Sequence, residues 1–548
     1  MKKTITTYSL RLFAFLLLAF MPASFLSATT GYFFYVQFAN KNNTPYSLSN
    51  PSTYLSQRAI DRRQTFGISI DSTDLPVNPA YISQIESLGM HVHCASKWMN
   101  GTTVLLADTT KMNLVRALPF VTKVQYTGMR AAALPVSKKM KSETTSFNYG
   151  TAATQINQVN GVYLHNAGYT GRNIVVGVLD AGFYNVNVNP AFDSLRLQGR
   201  LLGTKDIAEP NSNVYTLDTH GANVLSIMTG NLPGQFLGVA PHASFWLIRT
   251  EYAPTEYLVE NDFWASGIEF ADSAGVDIVN SSLGYTEYDD PSMNFTYADM
   301  NGKVSRSSRA ANMASKKGII VCNSAGNDGN KTWHYIGAPA DADGILAIGA
   351  VTSTGVPSVF TSYGPSSDNR VKPEISAMGS LTAFVNINGV PSSGNGTSYS
   401  SPVMTGMIAC LLQGYTERNI PHSVEAVRTA LIHSGNSFNA PTSQLGYGIP
   451  DFEYALKFPM FDSLKEVEAA NFELIYNPQE KNIHILMFNR QDAAGKTIRL
   501  YSATGCLMAT QQMNDAITIL PANNLSAGIY LVSISANGKN ETRKIMIH

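Results

Sequence analysis

The feature that most constrains the fold is a series of short, almost uninterrupted apolar runs between residues 151 and 457. Five of these runs are typical of β-strands, at 173–180, 243–250, 276–284, 318–327 and 344–351. Between them lie helix candidates, including 255–275 and 305–318. Strands without polar alternation are buried on both faces, and strands separated by helices pair in parallel. The pattern therefore predicts an α/β domain whose parallel sheet is covered by helices on both sides.

The chain has 548 residues, which is too long for one ordinary domain, and the flanks of the α/β region differ from it in pattern. Residues 29–130 combine strand patterns with a helix at 52–64, for which Ser52 is the predicted N-cap, so an α+β unit is expected. Residues 131–150 are polar, basic and aperiodic, as in an exposed and cleavable linker. Residues 460–548 contain short strands separated by Gly, Asn and Ser turns, which predicts an all-β sandwich.

The first 28 residues are predicted to be an export signal. Basic residues precede an apolar stretch at 12–21, and small residues at 23–28 could serve a signal peptidase. The apolar stretch is short for a bilayer span, so a membrane anchor is the weaker alternative. The chain has 39 basic and 39 acidic residues, which gives no electrostatic argument for a nucleic-acid partner. Its four cysteines are widely spaced, which favours free thiols over a disulfide scaffold or a zinc site.

Four polar side chains lie where predicted strands end or where a helix begins. Asp180 closes the first apolar run, and a carboxylate there is costly to bury unless it is paired. His220 precedes small and apolar residues, Asn327 lies in a glycine-flanked loop, and Ser398 precedes an apolar helix. Sites in parallel α/β sheets lie beyond the carboxyl ends of the strands. Taken singly, each residue is more typical of a cap, a turn or a structural histidine.

Together, the four side chains supply the groups needed for acyl transfer. Ser398 is the predicted nucleophile, and His220 is predicted to take its proton and return it to the leaving amine. Asp180 would hold the imidazole tautomer and stabilise the imidazolium. Asn327 would donate its side-chain amide to the developing oxyanion, a contact worth about 3–4 kcal/mol of barrier.

The order Asp, His, Ser and the local sequences resemble the subtilisin-like serine proteases, or subtilase family. GTSYSSP resembles the family's Gly-Thr-Ser-x-x-x-Pro nucleophile motif, and HGANV resembles its His-Gly-Thr-x-Val motif. DAG and SAGN resemble its aspartate and oxyanion-hole motifs. The resemblance extends through most of 151–457 and assigns the same four residues. It implies a subtilisin-like doubly wound parallel sheet and a serine endopeptidase that works through an acyl-enzyme.

The resemblance also implies roles for neighbouring residues. An edge that pairs with the substrate main chain, by β-augmentation, is assigned to Ser282, Leu283 and Gly284. Extended or unfolded protein segments are therefore the expected substrates. Pro402 is expected in the first helical turn, where a missing N–H is harmless. One departure from the motifs is Ala181, which replaces a hydroxyl residue beside Asp180 and removes one local hydrogen bond.

The chemistry requires no cofactor, although calcium is common in the family. Candidate ligands for a structural calcium ion are Asp206, Asp218, Asp341 and Asp343. Loop carboxylates of this kind are more often simply solvated, and the identity of any metal is left open.

Both flanks resemble parts of exported proteases. Residues 29–130 resemble the family's propeptides, which assist folding and block the active site until they are cleaved; a permanent surface domain is the alternative. The C-terminal segment resembles the type IX secretion sorting domain of Bacteroidetes in its GIYLV strand, its Asn-Gly turn and its final KIMI strand. This implies passage across the outer membrane, followed by release or surface attachment. An ordinary glycan- or protein-binding sandwich is the alternative.

The sequence therefore predicts a secreted subtilisin-like endopeptidase made as a zymogen. Its expected partners are protein or peptide substrates, its own propeptide and the type IX secretion machinery. A catalytically inactive homologue that acts as a surface binding protein is the first alternative, and the presence of all four catalytic groups argues against it. Another serine hydrolase chemistry, such as that of an esterase or a peptide ligase, is the second.

Overall fold

The structure is a computed structural model that describes residues 31–130, 148–458 and most of 472–547, with gaps at 479, 488–492, 494, 504 and 537–538. The predicted signal peptide at 1–28 and most of the predicted linker at 131–150 lie outside the described residues. Within the described ranges, no helix has both the length and the hydrophobicity that a bilayer span needs.

The N-terminal unit, residues 31–130, is an antiparallel sheet with helices on one face. Its elements are β1 (Gly31–Phe38), α1 (Gln57–Thr65), α2 (Pro79–Ser87), β2 (His91–Ser96), β3 (Gly101–Leu106), α3 (Met112–Arg116) and β4 (Val121–Arg130). The strand order is β2–β3–β1–β4. Alternate residues of β1 point to opposite faces: Phe34 and Val36 join the unit's own core, while Phe33 and Tyr35 join a core shared with the next unit. The sheet is therefore buried on both sides.

One helix boundary in this unit differs from the prediction. Residues Pro51–Thr53 form a separate 3₁₀ turn, and α1 begins after Ser56, whose side chain accepts a hydrogen bond from the Ala59 N–H. Ser52 was predicted as the N-cap, and that prediction was wrong. Both serines have the side chain that a cap needs, but Pro51 supports the separate turn and so moves the α-helix start four residues along the chain.

The central unit, residues 148–458, contains the large sheet and its covering helices. Its strands are β5 (Val175–Asp180), β6 (Leu201–Asp206), β7 (Asn231–Leu232), β8 (Phe236–Leu237), β9 (Ser244–Arg249), β10 (Ile278–Ser281), β11 (Ile320–Ser324), β12 (Leu346–Val351), β13 (Ile375–Met378), β14 (Thr382–Val385) and β15 (Pro391–Gly394). Its helices are α4 (Ala153–Asn157), α5 (Gly161–Asn166), α6 (Asp193–Leu197), α7 (His220–Thr229), α8 (Glu260–Ala274), α9 (Arg306–Lys316), α10 (Thr397–Glu417), α11 (Val424–His433) and α12 (Phe452–Lys457).

Seven strands of this unit form one parallel sheet in the order β13–β12–β11–β10–β5–β9–β6. Every residue of β5 is buried, as expected for a strand without polar alternation. Helices α7 and α10 lie against one face, and α8 and α9 cover the other. The predicted doubly wound α/β fold is confirmed. Strands β6 and β13, which form the two edges of the sheet, were missed; β6 has exposed polar positions, and β13 is a short run.

The C-terminal unit, residues 472–547, consists of two antiparallel sheets. Its strands are β16 (Phe472–Asn477), β17 (Asn482–Met487), β18 (Thr497–Ser502), β19 (Leu507–Gln512), β20 (Ile517–Pro521), β21 (Gly528–Ala536) and β22 (Lys539–Ile547). The sheet orders are β16–β17–β20 and β19–β18–β21–β22. Buried residues from both sheets, such as Ile485 and Val532, belong to the same core. The expected all-β unit is confirmed.

The N-terminal unit is bound to the central unit through buried ion pairs on α8. Asp272 of α8 has no exposed side-chain surface and lies 2.5 Å from Arg62 and 2.9 Å from Arg63 of α1. The Lys97 ammonium lies 2.8 Å from the same carboxylate. Burial raises the pKa of Asp272, but the three cations outweigh this and hold its pKa below the usual value. Because the three cations share one buried carboxylate, they fix the orientation of the N-terminal unit on α8.

Candidate active site

Asp180 and His220 meet at the carboxyl end of β5. Asp180 is the last residue of β5 and is fully buried, whereas His220 is the first residue of α7 and keeps 33% of its side chain exposed. The Nδ1 atom of His220 lies 2.8 Å from Oδ1 of Asp180. Since an ionised carboxylate only accepts, we assign the proton to Nδ1. Nε2 is then left as the lone-pair nitrogen of the neutral ring.

The two oxygens of the Asp180 carboxylate, which lies next to Ala181, have different surroundings. Oδ1 accepts hydrogen bonds from both His220 and the Ala181 N–H, the latter at 2.8 Å. Oδ2 is buried and finds no donor among the described residues. The carboxylate is therefore held through one oxygen only. The loss of a local hydrogen bond through Ala181 stays a prediction from the sequence.

Ser398 is the second residue of α10, whose N-terminus faces the same end of the sheet. Pro402 is the sixth residue of the helix, so the expectation that it falls in the first turn was wrong. Because proline has no N–H, the Ser398 carbonyl loses its partner four residues ahead. The Ser282 hydroxyl donates to that carbonyl at 2.9 Å and replaces the lost bond. Ser282 therefore stabilises the first turn of α10, a role that the sequence did not indicate.

The Ser398 hydroxyl itself donates to the Ser282 carbonyl at 3.2 Å. No hydrogen bond between Ser398 and His220 is found within the described residues. A serine Oγ moves between staggered χ1 positions without any change in the backbone, and hydrogen bonds at catalytic residues are often completed only when substrate is bound. The structure therefore brings Asp180 and His220 into contact and puts Ser398 against the predicted substrate edge.

Asn327 follows β11 and is fixed by the residue that precedes Ser398. Its Oδ1 accepts from the Thr397 N–H at 2.8 Å and from the Thr397 hydroxyl at 2.9 Å. The Thr397 hydroxyl also accepts from the Gly326 N–H at 3.2 Å. Because Oδ1 is used in this way, the orientation of the amide is set and its NH₂ group is directed away from Thr397. The contact ties the Asn327 loop to the N-terminus of α10, where unpaired N–H groups favour a negative charge.

The predicted substrate edge continues from the end of β10. Ser282 is buried, Leu283 is half-buried and Gly284 is exposed. The Leu283 carbonyl accepts from the Asn323 side chain at 3.0 Å, and the next residue, Tyr285, exchanges two backbone hydrogen bonds with Ala338. A Cβ on Gly284 would meet no atom closer than 3.9 Å, so the space beside it is open. The segment is thus rigid at both ends and accessible at Gly284.

The electrostatic environment of His220 favours its charged form. Burial lowers the pKa of the imidazole, but the charge and the hydrogen bond of Asp180 outweigh burial, and Asp218 adds to them. The net effect raises the pKa of His220 above its ordinary value of 6.5. This stabilises the imidazolium that forms when the ring accepts a proton, and it moves the loss of the neutral base to a higher pH than in a free histidine.

Two of the four predicted calcium ligands, Asp206 and Asp341, contact other protein groups. Asp206 pairs with Arg249, while Asp341 binds the Ser308 hydroxyl and a backbone N–H. A different group, Glu251, Glu256 and Glu260, has carboxylate oxygens within 4.8 Å of one another. Burial raises the pKa of all three, that of Glu256 to about 7. Only one oxygen of each residue is counted in this group, and three converging ligands do not by themselves define a calcium site, so this cluster carries no calcium assignment.

Three parts of the chain match known protein families. The family model of the subtilases (peptidase S8) matches residues 171–448, which is half of the chain. This range includes Asp180, His220, Asn327 and Ser398. The chain is a subtilase. Residues 33–146 match the peptidase S8 propeptide domain of Bacteroidota, and residues 475–548 match a secretion system C-terminal sorting domain. The predicted family, its propeptide and its type IX sorting domain are confirmed.

This subtilase is distantly similar to well-known subtilisins. It is 27% identical to Subtilisin NAT of Bacillus subtilis subsp. natto over 287 residues, which cover 52% of this chain and 67% of the relative. Over 274 residues it is 28% identical to Subtilisin DY of Bacillus licheniformis, with 50% and 88% covered. Over 302 residues it is 26% identical to the Alkaline protease of Alkalihalobacillus alcalophilus, with 55% and 69% covered. Family membership and this similarity suggest a serine protease.

Proposed function

We propose that this subtilase is a secreted serine endopeptidase, made as a zymogen, with Asp180, His220 and Ser398 as its catalytic triad. The observation that carries the proposal is the 2.8 Å contact between His220 Nδ1 and the buried Asp180 carboxylate. It leaves Nε2 as the base of a ring that is one-third exposed and whose centroid lies 6.4 Å from that of Tyr399, the residue after Ser398 in α10. These are the groups that acyl transfer needs, and a rotation of the Ser398 side chain would complete the contact with Nε2.

The proposed reaction has two steps. Nε2 of His220 takes the proton of the Ser398 hydroxyl as Oγ attacks the scissile carbonyl, and the imidazolium then gives that proton to the leaving amine. Asp180 stabilises the imidazolium without taking the proton. The negative carbonyl oxygen would accept from the Asn327 NH₂ group and the Ser398 backbone N–H. Water repeats the sequence on the acyl-enzyme and releases the acid.

Substrates would bind as an added strand on Ser282, Leu283 and Gly284. Pairing of this kind requires unpaired backbone, so unfolded chains and exposed loops are the proposed substrates. The domain boundaries predicted from the sequence are retained, with a propeptide at 29–130 and a peptidase unit at 151–457. A sorting domain of this type implies export across the outer membrane, and we propose that the signal at 1–28 supplies the first stage of that export.

The proposal is tested by offering casein and a simple ester side by side to the secreted protein. An endopeptidase cleaves casein at internal bonds, and a serine-directed inhibitor stops the cleavage. Hydrolysis of the ester without cleavage of casein would indicate a different serine hydrolase. A binding protein would process neither substrate.

Substitution of Asn327 by aspartate is expected to lower kcat by about 10²–10³-fold with little change in KM. Aspartate keeps the oxygen that anchors Thr397 but replaces the NH₂ donor with a charge that repels the oxyanion. Asn312→Asp, at a distant asparagine of α9, provides the matched control. Steady-state kinetics with a chromogenic peptide measure the effect, and an unchanged kcat would contradict the assignment of Asn327 to the oxyanion hole.

A further inference from the structure

The last residue of β4 places a cation against an acidic side chain of the central unit. The Arg130 guanidinium forms an ion pair with Oε1 of Glu209, and it lies over the Tyr252 ring with its central carbon 5.4 Å from the ring centroid. Arg130 keeps 33% of its side chain exposed and Glu209 keeps 22%. An arginine held by a carboxylate on one side and an aromatic face on another is the arrangement by which proteins select this side chain.

Glu209 is held in place by the residues beneath it. Its Oε2 lies 3.0 Å from Nη1 of Arg249, whose side chain is only 2% exposed. Arg249 also pairs with Asp206 at 3.1 Å, so two carboxylates share one buried cation and one negative charge remains. The Glu209 N–H donates to Asp206 at 2.7 Å and fixes the backbone of the loop. The carboxylate is therefore oriented before any cation arrives.

This acidic position borders the proposed reaction centre. Arg249 is paired in register with Asp180 across β5 and β9, and its Nε donates to the Ala181 carbonyl at 3.0 Å. Only one side chain therefore separates Glu209 from the residue that follows the catalytic aspartate. A cation on Glu209 therefore lies close to the proposed reaction centre.

The path of β4 shows how a peptide would reach this position. The Thr127 carbonyl accepts from the Val259 N–H at 2.7 Å, just before α8 begins. A Cβ on Gly128, at φ +145°, would approach the Tyr257 Cβ to 2.5 Å, so the strand lies directly against that side chain. An extended segment that follows the same path presents its side chain to Glu209 three residues after the carbonyl that pairs with Val259.

We propose that Glu209 and Tyr252 form a subsite for a basic side chain, arginine in preference to lysine, in the substrates of this subtilase as well as in its own N-terminal unit. The proposal rests on the proposed function, since it treats the path of β4 as a path for substrates. Arginine is preferred because its planar guanidinium can pair with Glu209 and lie over the Tyr252 ring at the same time, whereas an ammonium is a compact point charge.

The experiment uses the mature enzyme and two peptides with the sequence of residues 123–134, one with arginine and one with its neutral isostere citrulline at position 130. Each peptide competes against casein, and the apparent inhibition constant reports its binding whether or not it is cleaved. We expect the arginine peptide to bind about tenfold more tightly, the usual scale for one charge-assisted contact. In Glu209→Gln this ratio is expected to fall to about 1–2. Both peptides are measured on the same preparation of each variant, so a lower yield of folded enzyme does not change the ratio of their inhibition constants.

Two further variants sharpen the test. Tyr252→Leu keeps the apolar volume but removes the aromatic face, and it should lower the arginine-to-citrulline ratio by about two- to fivefold. Glu425→Gln removes a carboxylate from α11, where its side chain is 73% exposed, and should leave the ratio unchanged. If the wild-type ratio is near 1 while casein is cleaved, the subsite proposal fails and the proposed function stands. If casein is not cleaved at all, both fail.

The cleavage sites in a mixed protein digest test the extension to substrates. Arginine is expected to be enriched at one fixed distance from the cleaved bond, and this enrichment should disappear in Glu209→Gln but persist in Glu425→Gln. A wild-type digest without such enrichment, together with a tenfold peptide ratio, would limit the Glu209 contact to the enzyme's own N-terminal unit and overturn the proposal for substrates.

Discussion

Replacement of Ser398 by alanine is expected to lower peptide hydrolysis by at least about 10⁴-fold and to leave the N-terminal unit covalently attached. The substitution removes the oxygen that attacks the substrate carbonyl in the proposed reaction. If maturation is autocatalytic, the variant also cannot cut its own chain. Activity on a chromogenic peptide and the mass of the secreted chain measure the two effects.

The matched control for this variant is Ser400→Ala, two residues along the same helix. The Ser400 hydroxyl donates to the Thr397 carbonyl at 2.9 Å and is buried, so its loss tests the helix rather than the chemistry. We expect this variant to be processed and active. An active, processed Ser398→Ala variant would refute both the nucleophile assignment and the proposed route of maturation.

Replacement of Asp180 by asparagine is expected to lower kcat by about 10⁴-fold, although the shape of the side chain is kept. The asparagine NH₂ group can donate to Nδ1 of His220, which would move the ring proton to Nε2 and remove the base. The charge that stabilises the imidazolium is lost as well. Asp193→Asn, at a partly exposed ion pair with Arg196, is the control and should retain activity.

The same variant should also shift the pH profile. In the wild type, kcat/KM is expected to fall as pH decreases through a pKa above 6.5, because the protonated ring cannot act as a base. The contributions that raise this pKa come mainly from Asp180, and burial opposes them. The acid limb of the residual activity of Asp180→Asn should therefore lie at a lower pH than that of the wild type. An acid limb at the same pH in both proteins would show that another group controls it.

Each of the four candidate residues is a weak signal by itself, but their order along the chain and their places beside predicted strands and helices together indicated the site. An apolar run that ends in Asp180 fixes both the strand and its buried terminal carboxylate. The carboxyl ends of β5, β10 and β11 are adjacent in the sheet, so residues that follow these strands come together by topology alone. The parallel sheet and the order of the units could be predicted for the same reason.

The contacts between side chains from distant segments could not be predicted. The Ser282 hydroxyl compensates for Pro402, yet nothing in either local sequence indicates that the two segments meet. Arg130 and Glu209 are 79 positions apart, and their pairing depends on how the N-terminal unit docks on α8. Local patterns specify elements and the faces they bury, whereas such pairs are determined by tertiary packing.

The central claim is that the Ser398 hydroxyl is activated by His220 and Asp180. Reaction of the mature protein with a fluorophosphonate, followed by peptide mapping, tests this directly, since only an activated serine reacts readily with such a reagent. We predict a single label on Ser398, which disappears when the protein is unfolded and in His220→Ala. Cleavage of casein by a protein that carries no label on Ser398, or a label on another serine, would contradict the account.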